Sequence, residues 1–269
     1  MTVASESAGA TSGGADPAPA AAGLGRHPFG FPERPTTTEA RTMDYVFAPP
    51  PRPFLPVVGA AGVFPVHRIY CVGRNYAGHA REMGHDPDRE PPFFFQKNPD
   101  NILLGPEFPY PPLSRDVQHE IELVVALGSG GRDIATAAAS GHIFGYGVGL
   151  DMTRRDLQGA AKKLGRPWEV GKAFEASAPM SPLRRASEIG HPQRGEIRLD
   201  VNGDRRQSGD LGQMIWDVPH QIAILSTLFE LRPGDLVMTG TPAGVGPVVR
   251  GDRLHGRIEG VGELDVNVR

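Results

Sequence analysis

The chain has 269 residues, 39% hydrophobic and 22% charged, which is enough apolar material for a core over most of its length. Its 28 basic and 31 acidic residues give a formal charge of -3, with no basic surplus for nucleic acid and no long acidic block. A single cysteine, Cys71, excludes an internal disulfide and fits a reducing, cytoplasmic compartment, and no apolar run approaches transmembrane length.

Residues 1–42 differ in composition from the rest. Ala, Gly, Pro, Ser and Thr make up 29 of these 42 positions. Such a segment buries too little apolar surface to offset its ordering entropy, so it is expected to be a disordered tail. It lacks the basic start and apolar run of a secretory signal. Met43 opens a better-patterned stretch and is a candidate initiator, with 43–269 as the expected folded domain.

Residues 43–66 hold short apolar pieces broken by Pro49 to Pro51, Pro53, Pro56, Gly59 and Gly62, the pattern of edge strands and turns. Ile69–Gly73 reads as a buried strand. Ala77–Met83 reads as a helix on which His79 and Glu82, at i and i+3, share a face. A carboxylate beside an imidazole orients it and raises its basicity, which suits a proton-abstracting dyad; an exposed helical pair is the alternative. Phe93–Lys97 reads as an aromatic strand ending on Lys97, followed by a proline-rich loop over 99–112.

Gln118–Leu127 reads as a strand ended by Gly128, Gly130 and Gly131. Glu120 and Glu122 sit two residues apart in it and therefore face the same way. Like charges so placed in a core-type run are unfavourable unless a cation lies between them, so the pair is a candidate metal site; a surface strand with solvated glutamates is the bland alternative. Ala135–Ser140 reads as a short helix and Ile143–Leu150 as a glycine-rich strand. Asp151 ends that strand, either as a ligand or as the N-cap of a helix over Met152–Leu164. Arg155 and Gln158 follow it at i+4 and i+7, on one face beneath it.

Residues 196–216 suggest a hairpin about Asn202-Gly203. Val218–Leu231 reads as a helix, Leu236–Met238 as a strand, and Thr239–Gly246 as a glycine-rich loop without the Lys-Ser/Thr ending of a nucleotide-binding P-loop. Short strands over Arg253–Val268 close the chain. Only four lysines occur, Lys97, Lys162, Lys163 and Lys172, among many arginines. That scarcity marks Lys97 and Lys172 for a site, whereas the adjacent Lys162 and Lys163 read as solvated.

Several of these pieces, in order, resemble the fumarylacetoacetate hydrolase family: Tyr70–Tyr76, His79 with Glu82, His119–Glu122, Gly149–Thr153, Arg155 with Gln158, Trp168–Phe174 around Lys172, and Thr239–Gly246. The resemblance covers nearly all of 43–269 and none of the tail. Gly84–Phe95 is most similar to the fumarylpyruvate hydrolase branch of that family. The resemblance implies an α+β, mostly β fold, a mixed β-roll with flanking helices, and a homodimer. It implies Glu120, Glu122 and Asp151 as ligands of a divalent metal, Mg²⁺ or Mn²⁺. It implies His79 and Glu82 as the water-activating dyad, Lys172 as a catalytic stabiliser, and Arg155, Gln158 and Thr241 as holders of the substrate's pyruvate end.

The implied activity is hydrolysis of a carbon–carbon bond in a small acylpyruvate, fumarylpyruvate to fumarate and pyruvate, in gentisate-type aromatic degradation. The rival within the family is an oxaloacetate decarboxylase or another 2-keto-acid lyase or isomerase. The rival from outside enzymology is a silent protein that kept the fold, a reading favoured only if a ligand or dyad residue were missing.

Overall fold

Alternation along Ile121–Leu127 sets the architecture. All seven residues are buried, which marks a strand covered on both faces. Ile121, Leu123, Val125 and Leu127 face one core, while Val124 and Ala126 face another. In the computed structural model, which describes residues 45–78 and 91–269, this strand is central to a six-stranded sheet. The strand order is Arg184–Arg185, Ile143–Leu150, Ile121–Leu127, Leu236–Met238, Ile69–Gly73, Phe93–Lys97. The sheet is mixed: Leu236–Met238 runs parallel to Ile69–Gly73 and antiparallel to Ile121–Leu127.

A five-stranded sheet supplies the other wall of the larger core. Its order is Asp204–Asp210, Glu196–Val201, Arg253–Ile258, Gly262–Val268, Glu107–Phe108. Ile197, Leu199 and Val201 alternate inward with Leu254, Ile258 and Val266 against Ile121 to Leu127. Asn202 and Gly203 both adopt positive φ, 54° and 88°, the backbone of a two-residue turn whose twist matches its strands. The helix Val218–Leu228 lays Val218, Ile222 and Leu225 into the same core, with Asp217 accepting from the His220 N–H at 3.0 Å as its cap. The second core lies between the opposite face of the six-stranded sheet and the hairpin of Phe54–Pro56 with Val63–Pro65. This is the expected mostly β, α+β arrangement with flanking helices.

Three elements differ from their expected extents. The strand expected over Gln118–Leu127 breaks at Glu120. Val117–His119 pairs instead with Thr153–Arg154 and Gly246–Pro247 in a separate three-stranded sheet. The Ile121 N–H at the break donates to the Gln207 side chain at 3.0 Å. Because Thr153–Arg154 is drawn into that sheet, the helix expected from Met152 begins at Arg155. The helix expected to reach Leu231 ends at Leu228, where Phe229 turns extended.

The compact unit is Pro50–Arg269. The tail over 1–42, most of the helix expected over Ala77–Met83, and the dyad positions His79 and Glu82 lie outside the described residues. Among the described residues no helix is long and apolar enough to cross a membrane.

Candidate active site

Strand register brings the three acidic residues together. Ile121 pairs with Leu150 across the antiparallel ladder. Asp151 therefore lies opposite Glu120, and its N–H donates to the Glu120 carbonyl at 2.8 Å. Cross-strand partners project to the same face. Glu122, two residues on, keeps that face and lies opposite Gly149, which has no side chain to compete with it. One oxygen from each of Glu120, Glu122 and Asp151 lies within 4.8 Å of the others, and all three residues are buried. Asp151 does not cap the following helix, because Arg154 occupies the cap position.

Cations surround two of the three carboxylates. The Lys172 ammonium donates to Glu120 Oε2 at 2.7 Å and to Asp151 Oδ2 at 2.6 Å. Burial pulls the Lys172 pKa down, but Asp151 and Glu120 more than offset this, so it stays raised and the group stays charged. Lys97, fully buried, ion-pairs with Asp151 Oδ1 at 2.8 Å and donates to the Met152 carbonyl at 3.2 Å. Arg155 donates to Glu120 Oε1. Its guanidinium is held in place by Gln118 Oε1 at 2.8 Å and Gln158 Oε1 at 2.7 Å.

Glu122 is the exception. Its Oε2 accepts from the Gly240 N–H at 2.9 Å, and among the described residues it has no ion-pair partner. Burial first, then the charges of Asp151 and Glu120, push its carboxyl well above the usual range. Gly240 reaches it with φ at +95°, and a Cβ there would fall 2.7 Å from Asn75 Cβ. The position therefore needs glycine. Asn75 fixes the loop by donating to the Thr239 carbonyl at 2.8 Å and the Trp216 carbonyl at 2.9 Å.

Thr241 is oriented by a second buried amide. Gln207 Oε1 accepts from the Ile121 N–H and its Nε2 donates to the Pro242 carbonyl at 2.9 Å, which settles which end of the amide is which. Nε2 also donates to Thr241 Oγ1 at 2.7 Å. The Thr241 hydroxyl proton is thereby left for another acceptor.

All seven described candidates, Glu120, Glu122, Asp151, Arg155, Gln158, Lys172 and Thr241, line one pocket of about 420 Å³, mouth included. Beneath it Lys97 completes the charge pattern, as its scarcity suggested. Val72, Gly73, Arg74, Phe93, Phe95, Lys162 and Trp168 form the rest of the lining. Lys162, read from sequence as solvated, is half-buried and faces this pocket, whereas Lys163 is exposed. The missed signal was periodicity, since 155, 158 and 162 fall on one helical face.

The donor set fits a divalent cation. Three carboxylates converge as hard oxygen ligands, and Glu122 has no ion-pair partner among the described residues, the charge of Lys172 being outweighed by burial and by Asp151 and Glu120. A dication among them would supply that partner.

Comparison with known proteins follows from this geometry. Residues 68–269 match the family described as "Fumarylacetoacetate (FAA) hydrolase C-terminal". The crystal structure of fumarylpyruvate hydrolase from Pseudomonas aeruginosa, in complex with Mn²⁺ and pyruvate, is 53% identical with a TM-score of 0.82, covering 84% of this chain and 99% of that one. The fumarylpyruvate hydrolase of Ralstonia sp is 43% identical over 189 residues, covering 69% of this chain and 98% of its own length. The oxaloacetate tautomerase YcgM of Escherichia coli (strain K12) is 42% identical over 203 residues, covering 75% of this chain and 93% of its own length.

Proposed function

The chain belongs to the fumarylacetoacetate hydrolase family, and from that premise we propose that it is a metal-dependent acylpyruvate hydrolase, cleaving fumarylpyruvate to fumarate and pyruvate in gentisate-type aromatic degradation. The observation that carries the reading is the convergence of Glu120, Glu122 and Asp151 beside Lys172 and Arg155 in one pocket. The reading includes a homodimer and a cytoplasmic location, the location in keeping with the single free cysteine.

Glu120, Glu122 and Asp151 would hold the divalent cation, Mg²⁺ or Mn²⁺. When bound, it supplies Lewis acidity toward the carboxylate and keto oxygens of the pyruvate end. Arg155 and Gln158, locked together at 2.7 Å, and the Thr241 hydroxyl orient that end. His79, polarised by Glu82, takes a proton from water, which adds to the distal carbonyl. The carbon–carbon bond then breaks, and its electron pair leaves with pyruvate as an enolate. Lys172, charged and fixed between Glu120 and Asp151, is preorganised to stabilise that developing charge.

A second reading, action on oxaloacetate by tautomerisation or decarboxylation, has support from the similarity to YcgM. Oxaloacetate carries the same 2-keto-acid end, so the inner pocket alone suits both. An ultraviolet assay with Mn²⁺ or Mg²⁺, following loss of the diketo chromophore across acylpyruvates, separates them. Release of pyruvate and fumarate from fumarylpyruvate, well above any turnover of oxaloacetate, is the expected result. Turnover of oxaloacetate without cleavage of any acylpyruvate would reverse the assignment.

A further inference from the structure

The edge strand Asp204–Asp210 has one buried residue, and it is polar. Gln207 has no exposure, while Arg206 and Ser208 on either side of it are exposed. An amide is costly to bury unless its hydrogen-bonding capacity is met. Gln207 meets all of it. Oε1 accepts from the Ile121 N–H and from His119 Nδ1–H, each at 3.0 Å. Nε2 donates one proton to the Pro242 carbonyl at 2.9 Å and the other to Thr241 Oγ1 at 2.7 Å. Both lone pairs and both protons of the amide are thereby used. Gly209, two residues on and facing the same way, lets the loop lie flush on this strand, since a Cβ there would fall 2.8 Å from Pro242 Cβ.

The backbone fixes the direction of every bond in this chain of contacts. An N–H only donates and a carbonyl only accepts, so Ile121 and Pro242 set which end of the amide is which. Oε1 is the acceptor, so His119 carries a proton on Nδ1. Nε2 is the donor, so Thr241 Oγ1 accepts and has its own proton to give elsewhere. Among the described residues that proton meets no acceptor. Thr241 lines the pocket together with Arg155 and Gln158.

Resting on the acylpyruvate reading, we propose that Gln207 is a positioning residue: it keeps the Thr241 hydroxyl proton turned into the pocket, as a donor to an oxygen at the pyruvate end of the substrate. A free hydroxyl rotates to suit whichever neighbour it meets. With Nε2 held against Oγ1, the hydroxyl has no way to donate back into the fold. It is preorganised for an acceptor in the pocket, with little left to rearrange on binding. The same amide takes the Ile121 N–H, next in the chain to Glu120. It therefore holds the hydroxyl in register with the carboxylates as well as aiming it.

The test is calorimetric binding of pyruvate to the Mg²⁺-loaded full chain. Thr241→Val removes the hydroxyl and weakens pyruvate about tenfold, as for loss of one hydrogen bond to a charged group. Gln207→Glu keeps the shape but puts an acceptor oxygen where Nε2 stood, so the Thr241 proton is drawn inward. It weakens pyruvate by a similar factor, and kcat/KM falls alike on fumarylpyruvate and acetylpyruvate. In the Thr241→Val background the same exchange changes pyruvate affinity by less than about twofold, because its effect passes through the hydroxyl. An unchanged affinity in either single variant, or an equal loss from Gln207→Glu in both backgrounds, overturns the inference and leaves the hydrolase reading standing. A second measurement needs no Gln207 variant. Pyruvate shifts the Gln207 side-chain amide proton resonance in the unaltered chain, through polarisation of the shared hydroxyl, and does not shift it in Thr241→Val; a resonance that stays still in the unaltered chain counts against the inference equally. An unaltered chain that binds no pyruvate and cleaves no acylpyruvate overturns the acylpyruvate reading itself.

Discussion

The two ends of the pocket are built in different ways. The inner end is made of strand termini and buried side chains held in place by hydrogen bonds from the surrounding fold. Asp151 is placed by ladder register, Glu122 by the Gly240 N–H, and Thr241 by a fully engaged Gln207. The rim is made of half-buried aromatics and long cations from a strand end, a loop and a helix, held by ring contacts. Rigid, desolvated placement suits charge that develops during reaction. Longer side chains at a wet edge suit selection among substrates. The difference implies that inner substitutions change turnover on every substrate, whereas rim substitutions change which substrate is preferred.

The largest expected effect is at Lys172. Lys172→Met removes the only side chain that donates to both Glu120 and Asp151 among the described residues. Turnover should fall about a thousandfold on every acylpyruvate, with no change in preference, as for loss of one preorganised donor. A change confined to one substrate would move Lys172 to the selecting end and break the comparison.

Lys97 tests whether the inner end also holds the fold. Its ammonium has no exposure and pairs with Asp151. Lys97→Met leaves a buried carboxylate short of a partner, so unfolding in urea should show a loss of about 3 kcal/mol. A loss below about 1 kcal/mol, the range of a surface pair, would mean that water reaches Asp151 from below.

The smallest effect is at Asp156, on the helix that joins the two ends. Its carboxylate accepts from Ser114 Oγ at 2.8 Å and from the Arg115 and Leu157 N–H groups at 2.9 Å. Burial pushes its pKa up, but these donors together outweigh it and hold it below the usual carboxylate range. A depressed carboxylate contributes stability above its unfolded pKa and loses it as pH falls through the folded value. Asp156→Asn should therefore cost about 1 kcal/mol near neutrality, and its gap from the unaltered chain should close as pH drops below about 4. A gap that persists there would assign the effect to helix packing and not to charge.

Much of the inner end was legible in the sequence because its geometry is local. Two glutamates at i and i+2 must share a strand face, and Asp151 ends the next strand. The Asn202-Gly203 turn was legible for the same reason. What was not legible depends on partners distant in the chain. The break at Glu120 needs Gln207 from the other sheet to take up the Ile121 N–H, and no periodicity announces that. The late start of the helix at Arg155 follows from the same small sheet. Lys162 was obscured by its neighbour: two lysines at a helix end look solvated, and only the burial of Trp168 beside it makes one of them part of a pocket.

The central claim is that Glu120, Glu122 and Asp151 share a single divalent ion. Calorimetric titration of Mn²⁺ into chelator-treated protein measures it most directly, in the unaltered chain and in Glu122→Ala, whose side chain ion-pairs with nothing else in the described structure. One ion bound per chain, with affinity at least a hundredfold weaker in Glu122→Ala and an unchanged far-ultraviolet dichroism spectrum, is the predicted result. Binding of equal affinity and stoichiometry in both would contradict it.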